Sequence, residues 1–500
     1  MNLALAFLES ARAHATRPAL FWGDRTFTYN EVADLAQRLA ARLVGLGVQP
    51  GDRVGLWLKN GPEFVPALLG VLAAGAVVVP INNFLKPAEV GYLLNDAGIN
   101  LLLTDAELAA QLPALAAMRP GLQSWRVEEF SALPPAAASA AATRAEGDLA
   151  VLIYTSGTTG QPKGAMLSHG NLLHNVASCR QALGTLADDR MVVLLPLFHS
   201  YMVCVGLLLP LLSGGGMILV RSLHPLKNVL ADILQHRGTI LPAIPQFYRG
   251  LVAAPPLPPL PLRLCVSGAA PLPVQVLRDF EARFHIPLIE GYGLSEASPV
   301  VAKNPLHGVR KPGSIGRPIP NVELSVQDDA GRMLGPGEVG ELCVRGGNVM
   351  LGYWNRPAET AAAFRAGWLL TGDVGYADAD GYFFITDRKK DMLLVNGINV
   401  YPREIEEVLY QFPGIREAAV IGRADPRRGE QPLAFVAPDE GVTLDPAAVL
   451  RFLRERLADY KVPRSIEVLP ALPRNATGKI LKTALREQAA GMAGQVGTMP

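Results

Sequence analysis

Cysteine is scarce in this chain, and the four present, Cys179, Cys204, Cys265 and Cys343, lie far apart among apolar neighbours. That spacing excludes a disulfide framework and the paired cysteines of a zinc site, and it suits a reducing, cytoplasmic setting. An excess of either charge is also lacking. Lys and Arg number 46 against 45 Asp and Glu, a formal net charge of +1, so the basic surplus of a nucleic-acid binder is absent. The most apolar stretch, Met191 to Leu212, is interrupted by Pro196, His199 and Pro210 and is followed by Gly214-Gly215-Gly216. It reads as a buried strand, a turn and a core helix rather than a transmembrane segment, and peripheral contact with a membrane surface is left open. The first residues, Met1 to Leu8, are apolar but carry no basic leader before Glu9, which argues against a secretory signal. No internal repeat is evident.

What the chain does have is length, 500 residues with 49% hydrophobic content, more than one core usually serves. A helical stripe at Val32, Leu35, Leu39 and Leu43 is followed by a strand pattern from Asp52 to Leu58. A helix from Phe64 to Ala74 and a short strand from Ala76 to Pro80 come next. Such alternation predicts parallel sheets covered by helices. The Pro134 to Ala145 stretch and the Pro-rich Pro255 to Pro261 read as connectors. Beyond Asp387 the pattern changes. Pro402 suits a first helical position, with Ile405, Val408, Leu409 and Phe412 on one side, and Asp445-Pro446 opens a second helix bearing Leu450, Leu453 and Leu457. Strands are predicted at Ala418 to Ile421, Leu433 to Val436 and Ser465 to Leu469. The fold class is therefore α/β, with a large N-terminal domain of parallel sheets and a small α+β C-terminal domain of about a hundred residues.

The segment Tyr154-Thr155-Ser156-Gly157-Thr158-Thr159-Gly160-Gln161-Pro162-Lys163-Gly164 follows a strand-like run from Leu149, where α/β folds commonly place ligands. Glycines let backbone N–H groups approach phosphate oxygens, hydroxyls donate, and Lys163 adds charge. No Gly-Lys-Ser/Thr closes the loop, so it is not a Walker A loop. Taken alone it would also fit an ordinary surface turn.

Four further segments follow in order: Glu290-Gly291-Tyr292-Gly293-Leu294-Ser295-Glu296, Trp368 to Asp373, Asp387-Arg388-Lys389-Lys390-Asp391, and Pro473 to Lys479. With the loop, they make the chain, from about Phe27 to about Lys482, resemble the acyl-CoA synthetases of the acyl-adenylate-forming superfamily. The resemblance implies ATP, Mg²⁺ and coenzyme A as partners of a small-molecule carboxylic acid. It also implies a large domain over residues 1–389 and a mobile domain over residues 390–490, swinging about a hinge at Lys390.

A carboxylate is a poor electrophile, and ATP converts it to acyl-AMP with release of pyrophosphate. The resemblance gives the loop from Thr155 to Lys163 the departing pyrophosphate end. Glu296, with Thr155, is the candidate Mg²⁺ site, although a first-turn helix acid would look the same. Tyr292, between two glycines, suits stacking on adenine or a place in the core. Gly268, Ala269 and Ala270, after a strand-like Leu262 to Val266, resemble the opposite wall of that slot. Asp373 is assigned to the ribose by resemblance alone, since Thr371-Gly372-Asp373 by itself reads as a turn. Arg388 offers a donor fork to ribose or phosphate, or is a surface charge. Lys479 is expected to bridge the carboxylate and the α phosphate, where negative charge grows; without Thr477-Gly478 before it, it would read as a solvated lysine. Rotation about Lys390 would remove Lys479 and bring a face near Asn396-Gly397 toward the thiol. His199 resembles a residue lining the acyl end of relatives and equally fits a structural histidine.

Ser295 stands where many relatives carry Thr, Lys390 where many carry Asp, and Met202-Val203 where some long-chain members have a tryptophan gate. The acyl pocket is expected to draw on His199 to Val205, Pro245 to Tyr248, and Gly291. A dicarboxylate would want a fixed cation, and these segments are largely apolar. The reading is a medium- or long-chain fatty acid activated to its CoA thioester, with an aromatic acid as the runner-up substrate. The same fold would also serve a fatty acyl-AMP ligase or a noncatalytic nucleotide or acyl binder. A P-loop kinase or phosphatase would instead release ADP or phosphate.

Overall fold

The computed structural model describes residues 1–135, 141–155, 161–395, 398–425, 429–475 and 478–496. Of the sequence expectations, those on Ser156 to Gly160, Asn396-Gly397, Thr477 and part of the Pro134 to Ala145 connector lie outside these residues.

Short runs such as Val77–Pro80, Leu101–Thr104 and Gly216–Leu219 are buried at every position, as strands covered on both faces must be. They belong to two mostly parallel sheets. The nine-stranded sheet runs in parallel from Pro18–Trp22 through Gly216–Leu219, Arg190–Val193, Ile240–Ala243 and Leu264–Ser267 to Leu288–Gly293. Antiparallel strands Arg25–Thr28 and Val300–Lys303, the latter followed by Arg317–Pro318, extend its two ends. In the seven-stranded sheet, Gln123–Arg126, Leu101–Thr104, Arg53–Trp57, Val77–Pro80 and Leu149–Thr155 are parallel, and Lys163–Ser168 and Gly352–Tyr353 add antiparallel strands. Helix Phe64–Ala73 has no exposed residue. Gly70 lets helix Tyr29–Gly45 meet it, since a Cβ there would lie 2.9 Å from the Ala36 carbonyl oxygen. The expected parallel, helix-covered architecture is present.

A third sheet was not foreseen. Val322–Gln327, Gly340–Gly346, Trp368–Ala377, Phe364–Arg365 and Phe383–Arg388 are antiparallel throughout. The pairing stays antiparallel even though helix Pro357–Ala363 lies between Gly340–Gly346 and Phe364–Arg365. Thr371-Gly372-Asp373, a turn by local propensity, lies inside the Trp368–Ala377 strand, with Gly372 at φ +71°.

The C-terminal domain is built on Gly429–Pro438 paired with Ile415–Asp425 and, in parallel, with Ile466–Val468. Helices Pro402–Leu409 and Pro446–Arg454 pack Ile405, Leu409, Val449 and Leu453 on one side, and Leu472 and Leu485 form a cluster on the other. Helix Pro402–Leu409 ends before Phe412, which still packs on the same cluster. Beyond Arg190–Val193, Met202–Leu208 winds as a π-helix before the helical turn Leu209–Leu212, a wider coil than the core helix expected. Among the described residues no helix is long and apolar enough to cross a membrane.

Candidate active site

The C-terminal ends of the parallel strands, the antiparallel sheet and one loop of the small domain meet at a single cleft. On its phosphate side, Thr155 and Lys163 face each other at the mouth of a hairpin. Thr155 Oγ1 donates to Glu296 Oε1 at 3.4 Å, and Tyr353 Oη donates to the same oxygen at 3.0 Å. Lys163 Nζ stands 5.5 Å from the Tyr353 ring centroid. Glu296 itself is fixed in the tight turn Ser295–Ala297, whose geometry is pinned by the Met350 N–H donating to the Glu296 carbonyl at 2.8 Å. Among the described residues both bonds fall on Oε1. Among the described residues no cluster of three His, Cys, Asp or Glu could hold a metal ion. A single carboxylate beside a phosphate-binding loop fits Mg²⁺, which shares its shell with nucleotide oxygens and water.

On the nucleoside side, Tyr292 Oη donates to Asp373 Oδ2 at 2.5 Å, and Arg388 Nε lies 3.2 Å from Asp373 Oδ1. Asp373 and Arg388 are direct cross-strand partners. Thr371 Oγ1 accepts from the Asp373 N–H at 3.0 Å and donates to the Leu342 carbonyl at 2.7 Å, which fixes the carboxylate's approach. Burial, followed by the charge of Asp373, raises the Tyr292 phenol, so it remains a proton donor. Gly293 is obligatory here, because a Cβ would lie 2.0 Å from the Pro299 carbonyl oxygen. Across the slot, Gly268 leaves the strand Leu264–Ser267 with its N–H on the Ala243 carbonyl, and Ala269 turns the chain at φ +65° toward Ala270. Glu290 belongs to this edge through its backbone. Its carboxylate turns inward, accepts from the Leu272 N–H at 3.1 Å and lies 3.8 Å from Arg403; burial pushes it up to about 7 against the pull of that guanidinium.

Lys479 arrives from the small domain on a loop closed by Asn475, which takes the Lys479 N–H on its side chain and the Gly478 N–H on its carbonyl, both at 2.9 Å. Gly478, at φ +82°, sits so close to Ile244 that a Cβ would fall 2.3 Å from Ile244 Cδ1. The loop is thus inserted against the large domain. Burial pushes the Lys479 ammonium down to about 8; Arg388 acts in the same direction and Asp373 against it. Lys479, Arg388 and Asp373 therefore share one electrostatic site. Lys390 is exposed on the turn where the Asp391 N–H returns to the Arg388 carbonyl, and its charge also acts to lower the Lys479 ammonium.

His199 is neutral. Burial pushes it down to about 4, and its Nδ1 accepts the Tyr201 N–H at 3.2 Å. Beside it Ser200 Oγ and Ser295 Oγ are 2.8 Å apart. Met202, Val203, Cys204 and Val205 are buried, and Gly291 has only ordinary contacts, the nearest at 3.7 Å from a would-be Cβ.

Sequence reasoning missed several residues of this cleft. Tyr353 belongs to no motif and reaches Glu296 only because Gly352–Tyr353 pairs with Lys163–Ser168. Ser200 lies within the His199 to Val205 stretch expected at the acyl end, but its pairing with Ser295 was not foreseen. Lys303, opposite Gly291 in the strand pair, is buried to 8% exposure, a fixed cation in what the sequence suggested was an apolar region. Its isolation in an apolar run, Pro299-Val300-Val301-Ala302-Lys303, was the available signal.

The AMP-binding enzyme family matches residues 7–354, and the AMP-binding enzyme C-terminal domain matches residues 404–479. A long-chain-fatty-acid–CoA ligase of Bacillus subtilis (strain 168) is 37% identical, over 96% of this chain and 93% of that one. A feruloyl-CoA synthase of an Amycolatopsis species is 39% identical, over 95% of this chain and 96% of its own. The crystal structure of ATP-bound MatB from Rhodopseudomonas palustris superposes with a TM-score of 0.91 at 34% identity, covering 98% of this chain and 99% of the other. The apo form of the same protein gives 0.79. With family matches on both domains and relatives of 37–39% identity over nearly the whole length, the chain belongs to the AMP-binding enzymes and is an AMP-forming acid–CoA ligase that uses ATP, Mg²⁺ and coenzyme A.

Proposed function

We propose that the acid is a medium- or long-chain fatty acid, activated in the cytoplasm to acyl-AMP and then transferred to CoA. The observation that carries this reading is the acyl side of the cleft, where Met202 to Val205 are buried and Gly291 leaves its floor without a side chain. In the first step a carboxylate oxygen attacks the α phosphorus, and the bond to the β,γ-pyrophosphate breaks. The loop from Thr155 to Lys163 takes the pyrophosphate, and Glu296 with Thr155 holds Mg²⁺ against its oxygens. Tyr292 and the Gly268 to Ala270 wall enclose the adenine, Asp373 accepts from the ribose hydroxyls, and Arg388 orients that carboxylate. Lys479 supplies positive charge between carboxylate and α phosphate as the five-coordinate phosphorus forms. His199 lines the acyl end. The domain of residues 390–490 then swings about Lys390 against residues 1–389, and the CoA sulfur attacks the acyl carbon as AMP leaves.

An aryl acid is the second reading, favoured by the identity with feruloyl-CoA synthase. One experiment covers both. ATP–pyrophosphate exchange and CoA thioester formation are measured across straight-chain, aryl and short dicarboxylic acids. Straight-chain acids from octanoate to palmitate should lead, each buried methylene adding roughly 0.8 kcal/mol until the pocket ends. Malonate or benzoate ahead of them would overturn the fatty-acid reading. Exchange without any thioester would point to an acyl-AMP ligase, and ADP as product would refute the adenylating chemistry.

A further inference from the structure

Lys303 closes the strand Val300–Lys303 and stands directly opposite Gly291 in the antiparallel pair with Leu288–Gly293. Directly opposed residues project from the same face of a sheet, so the lysine side chain emerges where Gly291 presents none. Tyr201 bounds the same interior. Its ring atoms lie 3.2 Å from where a Gly268 Cβ would be, and its hydroxyl donates to the Val266 carbonyl at 3.4 Å. Cys204 and Cys179 share the Asn175 Oδ1 acceptor at 3.3 and 3.7 Å, and the Cys179 thiol is near enough to act electrically on both Tyr201 and Lys303. Tyr201, Cys204, Gly268, Gly291 and Lys303 therefore border one part of the interior beside the strand Leu288–Gly293. Gly291 lies two residues down the strand from Gly293, roughly 7 Å deeper at the usual strand rise.

The ammonium is poorly provided for. Lys303 is 8% exposed, and among the described residues its only hydrogen-bond acceptor is the Asn304 carbonyl at 3.1 Å. It makes no ion pair among those residues, and Cys179 is the only titratable side chain close enough to act on it. An ammonium carries three donors, and a buried cation with one neutral partner is costly to keep. Burial pushes it down to about 8. A methionine or leucine would fill the same space at no such cost, so the charge is accounted for by something that enters the pocket.

We propose that Lys303 is a specificity-determining residue that receives an oxygen acceptor on the far end of the acyl tail. Among medium- and long-chain acids, those carrying a hydroxyl, oxo or second carboxylate group beyond the apolar stem are then preferred. This rests on the acid–CoA ligase reading and refines its substrate. A short dicarboxylate such as malonate remains outside it, because its second carboxylate would not reach Lys303.

The test compares octanoate, ω-hydroxyoctanoate and octanedioate in ATP–pyrophosphate exchange and thioester formation, with the native enzyme and with Lys303→Met. The native enzyme should favour at least one oxygenated acid over octanoate by roughly tenfold or more in kcat/KM. Lys303→Met should erase that ratio, since the acceptor is then buried without its donor. The ω-hydroxy and dicarboxylate arms separate a neutral acceptor from an anionic one. A native preference for octanoate over both, or an unchanged ratio in Lys303→Met, overturns the proposal. If Lys303→Met does not fold, the native ratio decides, and Lys303→Gln, which keeps a donor without the charge, should retain the ω-hydroxy preference and lose any for the dicarboxylate. Absence of exchange with every acid would indict the ligase reading itself, whereas exchange without tail discrimination indicts only the role of Lys303.

Discussion

Glu296 accepts hydrogen bonds from Thr155 and Tyr353 on one oxygen, which fixes the orientation of its carboxylate. Glu296→Gln keeps the shape and the Oε1 acceptor but removes the negative charge that a divalent ion needs. Pyrophosphate exchange at saturating Mg²⁺ should fall by about 10²–10³, on the order of 3–4 kcal/mol of transition-state stabilisation. Thermal stability should hardly move, because both hydrogen bonds survive in the amide. Exchange within threefold of the native rate would remove Glu296 from the metal site. At this scale the sequence is legible where a residue type is dictated by chemistry next to a backbone constraint. Gly293 cannot carry a side chain and Glu296 follows it by three residues, so the pair was visible. Tyr353 and Lys303 were not, because only strand pairing brings them to the cleft.

Helix Pro245–Ala253 links the two domains in this arrangement. The Arg249 guanidinium donates to the Arg416 carbonyl at 2.5 Å, the Ile415 carbonyl at 2.8 Å and Asp439 Oδ1 at 2.9 Å. Helix Pro402–Leu409 contributes Arg403 opposite Glu290. These contacts hold the small domain with Lys479 beside Asp373 and Arg388. Arg249→Ala should loosen this docked pose by about 1.5–3 kcal/mol, the range for hydrogen bonds to a charged group. Single-turnover adenylation should slow by roughly tenfold or more, while thioester formation from supplied acyl-AMP should be unchanged or faster. Equal slowing of both steps would mean that Arg249 serves general stability instead. Among the elements, the parallel strands and their helices were legible from alternating apolar runs, and Pro402 and Asp445-Pro446 announced the small-domain helices. The antiparallel sheet from Val322 to Arg388 was not. Its strands mix polar and apolar residues with Gly372 at positive φ, and there local turn propensity loses to pairing with Gly340–Gly346 and Phe383–Arg388.

At the scale of the whole molecule, the arrangement is nearer to an ATP-bound relative than to the same relative without ligand, with TM-scores of 0.91 and 0.79. Lys479 stands beside Arg388 and Asp373 on a loop packed through Gly478 against Ile244. We propose that two half-reactions in one cleft require the small domain to change its face, with the exposed turn at Lys390 as the hinge. Lys479→Ala removes the charge beside the reacting carboxylate, and adenylation should fall by about 10²–10³ or more. Thioester formation from acyl-AMP and CoA should survive, because Lys479 has left the cleft by then. Lys390→Pro fixes one backbone angle at the swivel, so adenylation should persist in the docked pose while transfer to CoA slows sharply. Both variants are given acyl-AMP plus CoA in one assay and acid plus ATP in another. Opposite patterns in the two assays are the signature of domain alternation. If Lys479→Ala fails as badly with acyl-AMP as with ATP, or Lys390→Pro transfers to CoA at the native rate, a fixed domain arrangement serves both steps and Lys390 is not the hinge.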